Sequence, residues 1–104
     1  SFALLDGGAS HFEDMAGITT HHTEARYRED GELLDSLPQG FYSSRTYTDK
    51  LIGHMQSNIG DGKPFFAYAA YTAPHWPVQA PDDALDKYAG TYDAGYDRVR
   101  AQRF

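Results

Sequence analysis

The chain contains no cysteine. Within its 104 residues this excludes a disulfide framework, a thiolate metal site and a cysteine nucleophile. Basic residues are scarce as well. Nine Lys and Arg stand against fifteen Asp and Glu, a formal charge of −6, and no basic run occurs. Nucleic acid is recognised first through its phosphates, which need a basic surface, so no nucleic-acid partner is expected. Long apolar runs are missing too. The longest, residues 65–71, is far short of the roughly 20 residues that a membrane-spanning helix requires, so no membrane partner is expected. No basic segment opens the chain as it would a signal peptide. The length suits one modest domain. The chain starts at Ser1 and stops at Phe104 directly after a charged helical pattern. The expectation is an internal piece of a longer protein.

What is present falls into three zones. Residues 1–40 are polar, Gly-punctuated and without a clean period, and are expected to be an irregular excursion over a larger body. Within them Ser1 to Leu5 suits a short strand ended by Asp6-Gly7-Gly8, Glu24 to Asp30 reads as charged and solvated, and Asp30-Gly31 is a turn signal. Residues 41–71 are expected to form a helix–strand unit. Ser43 or Ser44 can cap a helix. Tyr47, Leu51, Ile52, Met55 and Ile59 then recur at helical spacing. Gly60-Asp61-Gly62-Lys63-Pro64 stops that helix, and Phe65 to Ala70, apolar without alternation, predicts a strand buried on both faces of a parallel sheet. Residues 72–104 begin with three prolines between Thr72 and Pro81, a stiff loop. A short helix is expected from Pro81, with Asp82 and Asp83 favourable in its first turn and Gly90 closing it, and another from about Ala94 to Arg103, with Asp93 as a cap.

His75 is the most informative position. It lies just past the expected strand, and ligands of open α/β sheets bind beyond the carboxyl ends of strands. A stiff loop presents an imidazole at little ordering cost, and an imidazolium donates to anionic oxygens such as those of sulfate or phosphate. A structural histidine that packs on Trp76 or satisfies a loop carbonyl explains the position equally. Asp82-Asp83 is accounted for by a helix start, without a metal. His11, His21 and His22 match no zinc spacing, and adjacent histidines in an extended chain point to opposite sides. They are expected to be solvated. Asp6 to Ser10 is Gly-rich but is neither a P-loop nor a dinucleotide fingerprint. Tyr47, Tyr68 and Tyr71 are expected in the core rather than stacked on a ligand, and Asp49 on the polar side of the long helix.

Lys63-Pro64-Phe65-Phe66-Ala67-Tyr68-Ala69-Ala70-Tyr71-Thr72-Ala73-Pro74-His75-Trp76-Pro77-Val78-Gln79-Ala80-Pro81 resembles a segment of bacterial arylsulfatases, of the alkaline-phosphatase-like superfamily. Leu37 to Ser44 with Asp49-Lys50-Leu51 resembles the helix before it. Lys87-Tyr88, Gly90 and Tyr92 to Asp97 resemble the stretch after it. Strong similarity covers residues 37–103. Gly7-Gly8-Ala9-Ser10 resembles a looser Gly-Gly turn of the family.

The resemblance implies an α/β fold, a mixed or parallel sheet sandwiched by helices, carried by part of a sulfuric ester hydrolase. It implies a formylglycine nucleophile made within a C/S-x-P-x-R motif and a Ca²⁺ or Mg²⁺ held by Asp and Asn oxygens. Of the family's functional residues only His75 has a counterpart, as the contact to the sulfate group or leaving oxygen, with Trp76 as a neighbouring substrate contact. Ser36-Leu37-Pro38-Gln39-Gly40 has Gly where the motif needs Arg, and no metal ligand has a match. The 104 residues alone are therefore expected to carry no cofactor and to be inactive. A sulfate-ester small molecule or sulfated glycan would be the substrate of the whole enzyme, in bacterial cytoplasm or periplasm. A non-catalytic binding module and a phosphate or phosphonate ester hydrolase stay open as alternatives. A strand with bare edges invites pairing with a second copy, so a homo-oligomer is expected.

Overall fold

A computed structural model describes residues 1–103. Residues 1–33 hold five strands: β1 (Phe2–Leu4), within the stretch expected as a strand, and, contrary to the sequence-based expectation, β2 (Ala16–Thr19), β3 (His22–Glu24), β4 (Tyr27–Glu29) and β5 (Glu32–Leu33). All pairings are antiparallel. β4 lies between β1 and β5, with Phe2 opposite Glu29 and Leu4 opposite Tyr27. β2 and β3 form a separate hairpin. Gly17 lets this hairpin close, because a side chain there would run into the His22 carbonyl. The strands are two to four residues long, too short for alternation to stand out against the Gly and Asp turns around them. The Asp30-Gly31 turn does join β4 to β5, with Asp30 and Gly31 both at positive φ.

The core lies where the chain was expected to be irregular. Ala9, Met15, Ala25, Tyr27, Leu37 and Phe41 are buried, and Phe2, Leu4, Leu34 and Tyr47 pack against them. Its centre is an aromatic cluster. The Phe2 and Tyr47 rings are 5.8 Å apart, and Tyr27 and Phe41 meet edge-on at 5.6 Å, within the range of favourable ring contacts. Burial pushes the Tyr27 and Tyr47 phenols up from their ordinary value.

Helix α1 (Ser43–Ser57) follows the predicted stripe. Tyr47 and Leu51 are half-buried, but Ile52, Met55 and Ile59 face solvent, so the stripe is covered only in its first half. Neither serine caps it: Tyr42 occupies the N-cap without a side-chain bond, because the Ser43 hydroxyl is engaged by His11. Asn58 closes the other end, its side-chain amide donating to the His54 carbonyl at 2.7 Å.

The expected strand at Phe65–Ala70 is absent. These residues lie in no strand and are exposed, Phe66 at 89%. An apolar run becomes a strand only when its backbone groups pair with a neighbour; Tyr68, Ala69 and Ala70 share a hollow with Phe2 to Leu4 of the edge strand β1 but form no ladder with it. The described part is thus mixed α and β, with antiparallel sheets only. The later helices are α2 (Asp82–Leu85), continued by a 3-10 turn (Asp86–Tyr88), and α3 (Tyr96–Arg103). Pro81 is the N-cap of α2 rather than its first residue, and α3 starts at Tyr96, beyond Asp93. No helix among the described residues is long and apolar enough to cross a membrane. The radius of gyration, 17.5 Å, exceeds the roughly 13 Å of a compact domain of this length.

Candidate functional site

The loop between Thr72 and Pro81 is fixed along its length. The His75 amide donates to the Thr72 carbonyl at 3.0 Å, which closes a turn with Ala73 and Pro74 at its corner and His75 as its last residue. The Ala73–Pro74 and Trp76–Pro77 bonds are cis. The loop's ends are tied to the packed half of the molecule. Tyr71 Oη and Thr48 Oγ1 on α1 are 2.8 Å apart, and Gln79 Oε1 accepts from the His11 amide at 2.8 Å and from the Ser10 hydroxyl at 3.3 Å.

Both predicted site residues reach the surface. His75 is exposed and Trp76 beside it is 62% exposed. His75 Nδ1 lies 2.7 Å from the Trp76 carbonyl oxygen. A carbonyl only accepts, so Nδ1 carries the hydrogen. Nε2 meets no protein partner among the described residues and remains the nitrogen available to a ligand.

His75, Trp76 and Tyr71 line a cleft of about 640 Å³ together with Gly7, Gly8 and His11. The Asp6 turn is held by Arg26, whose guanidinium donates to Asp6 Oδ1 at 2.8 Å and whose amide donates to Oδ2 at 2.8 Å. These bonds hold the Asp6 carboxyl below its ordinary value. A larger hollow of about 720 Å³ lies at α3, among Tyr92, Tyr96, Arg100 and Arg103. It contains neither predicted site residue, and the His75 cleft is the better candidate on its chemistry.

Among the described residues no three His, Asp or Glu side chains come together as a metal site. Asp83 pairs with Arg45 at 3.7 Å. His21 and His22 are exposed, as expected for the tip of a hairpin, and Asp49 is exposed on α1. Two expectations fail. Tyr68 and Tyr71 are exposed, although the Tyr71 ring lies 6.5 Å from that of Tyr47, which alone of the three packs against the core. His11, expected in solvent, is 2% exposed. It had no readable signal, because its partners Ser43, His75 and Gln79 stand 32 to 68 positions away in sequence.

Known proteins share this arrangement of sequence. The family model described as Sulfatase matches residues 5–103. An arylsulfatase of Klebsiella aerogenes is 40% identical over an alignment that covers 99% of this chain and 22% of that protein. A protein of Schizosaccharomyces pombe named as an uncharacterized sulfatase is 37% identical, over 99% of this chain and 19% of its own length. The chain thus spans about one fifth of the curated relatives it matches. With nearly every residue inside the family match, the chain belongs to the sulfatase family.

Proposed function

We propose that these residues form part of an arylsulfatase-like sulfuric ester hydrolase in which His75 contacts the sulfate group. The observation that carries this reading is the state of the His75 ring. Trp76 holds Nδ1 as a donor, and Nε2 is free at the mouth of the cleft. When the ring is an imidazolium, Nε2–H donates to an anionic oxygen with a full charge behind it, the stronger kind of hydrogen bond. When a nucleophile supplied by other residues of the enzyme bonds to sulfur and the S–O bond to the ester oxygen breaks, the same proton can pass to that departing oxygen, leaving the neutral ring with its hydrogen on Nδ1. Trp76 supplies an exposed ring beside that position, suited to an aryl group of the ester. The substrate class is a sulfate-ester small molecule or sulfated glycan.

A formylglycine and a Ca²⁺ or Mg²⁺ ion belong to this reading as supplied by other residues of the enzyme. The residues described do not fit either group. The chain has no cysteine, Ser36-Leu37-Pro38-Gln39 runs into Gly40 rather than Arg, and no cluster of metal donors forms. No step above passes through them.

The test is His75→Ala in the protein translated from the full reading frame around these residues, assayed on an aryl sulfate. The expected result is a loss of about 100-fold or more in kcat/KM, as for removal of a group that stabilises developing charge. Wild-type kinetics would remove His75 from the site. The 104-residue chain by itself is expected to show no turnover above its own His75→Ala control.

A further inference from the structure

We propose that His11 is a positioning residue for the His75 loop, acting through the bond from its Nε2–H to the His75 backbone carbonyl. The inference rests on the reading of His75 given above. His11 is buried, and its ring spans two elements. Nε2 lies 3.4 Å from the His75 carbonyl oxygen. Since a carbonyl only accepts, the contact puts the ring hydrogen on Nε2. Nδ1 of the neutral ring is then an acceptor, and the Ser43 hydroxyl donates to it at 2.7 Å. Thr72 Oγ1 lies 3.4 Å from the same nitrogen.

The consequences follow from this polarity. Ser43 opens α1 and is itself buried, so the short bond fixes the ring on the packed half of the molecule. The Nε2 edge of the ring then meets the loop at the His75 carbonyl, while Thr72 approaches the Nδ1 edge beside Ser43. The His11 amide meets it again at Gln79. A buried polar ring costs stability unless its nitrogens are satisfied, and here both are satisfied only while the loop and α1 keep this spacing. At 3.4 Å the Nε2 contact is long, as such bonds are before a substrate draws a site together. His11 also lines the cleft, but its ring nitrogens face protein partners. Its effect on an anion therefore passes through His75.

The experiment compares His11→Ala, His11→Gln, His11→Asn and the double variant His11→Ala with His75→Ala, all in the full-reading-frame enzyme on an aryl sulfate. Gln places an amide N–H near the position of Nε2, whereas Asn places its amide near Nδ1. His11→Ala is expected to lower kcat by about 10- to 100-fold with KM little changed, the scale of an ångström-level misplacement. His11→Gln should recover most of that loss and His11→Asn little. The double variant should be no slower than His75→Ala alone, as for two residues acting through one group. Hydrogen exchange should quicken across residues 72–79 in His11→Ala and be slowed again by Gln.

Unchanged kcat in His11→Ala, equal recovery by Asn and Gln, or a double variant slower by the whole His11→Ala factor overturns the inference. If His11→Ala does not fold, the Gln and Asn pair decides alone. A slow His75→Ala beside a normal His11→Ala defeats only the role of His11. A normal His75→Ala defeats both readings.

Discussion

Residues 1–57 and residues 60–103 are both rich in aromatic side chains, yet the two regions use them differently. In the first, Phe2, Tyr27, Phe41 and Tyr47 close on one another from three directions, β1, β4 and the start of α1. In the second, Phe65, Phe66, Tyr68, Tyr88, Tyr92 and Tyr96 are all exposed. Every buried residue among those described lies at or before Ser43. A core therefore needs opposed faces more than it needs apolar composition. Short antiparallel strands and one helix supply such faces in the first region, and nothing described supplies them in the second. The candidate site lies on the seam. His75 belongs to the uncovered region, and its loop is aligned by Ser10, His11 and Thr48 of the covered one.

The comparison breaks most visibly at Tyr27 and Phe66. Tyr27 is 1% exposed, and Tyr27→Ala should cost about 3–5 kcal/mol, the range for a large ring removed from a core. That is a large share of the roughly 5–15 kcal/mol that holds a whole domain. Phe66→Ala removes a ring of similar size from solvent and should stay within about 0.5 kcal/mol. Urea midpoints of the two variants check this. Equal losses would mean that Phe66 is packed in solution and that the two regions do not differ.

The exposed face should also have a consequence for association. Phe65, Phe66, Tyr68 and Val78 present apolar surface, and residues 65–71, which lie in no strand, add backbone donors and acceptors outside any ladder. The 104-residue chain is expected to form a homodimer or higher assembly as concentration rises, and Phe66→Glu with Tyr68→Glu to shift it toward monomer. Light scattering over a concentration series measures this. A wild-type monomer at high concentration would show that the face needs no cover.

Much of this was legible, in an uneven way. The α1 stripe, the Gly60 to Pro64 stop, the prolines of the His75 loop and the Asp30-Gly31 turn are local signals, and each corresponds to a feature of the structure. Glu24-Ala25-Arg26-Tyr27-Arg28-Glu29 also carried a signal, a period of two with Ala25 and Tyr27 inward. Its four charged residues give the segment a solvated composition that masks this alternation. Phe65 to Ala70 failed in the opposite sense. Its apolar character was plain, but pairing depends on neighbours that no local pattern reveals. His11 was hidden for the same reason: a lone histidine shows its role only once Ser43 and His75 are brought beside it.

The smallest expected effect sharpens the comparison from the covered side. The Asp6 side chain is 7% exposed while that of its partner Arg26 is 56% exposed, so the pair is half in water and its strength is modest. Hydrogen bonds from the Arg26 side chain and amide lower the Asp6 pKa below its ordinary 3.8. A carboxyl whose folded value is depressed releases its proton more readily in the folded state. Its contribution to stability is full above the unfolded value and is lost as pH falls through the folded one. Between about pH 5 and pH 2 the wild-type melting temperature should therefore fall more steeply than that of Asp6→Asn, with the two curves parallel above about pH 5. Measured against its intrinsic rate, which itself slows in acid, hydrogen exchange at the Arg26 amide should lose protection over the same range, because that N–H is donated to Asp6 Oδ2. The amides of residues 64–72, which lie in no strand, should show no such step. A step that appears equally in both regions would place the acid transition in the whole molecule rather than in the Asp6 turn, whose Gly7 and Gly8 line the His75 cleft.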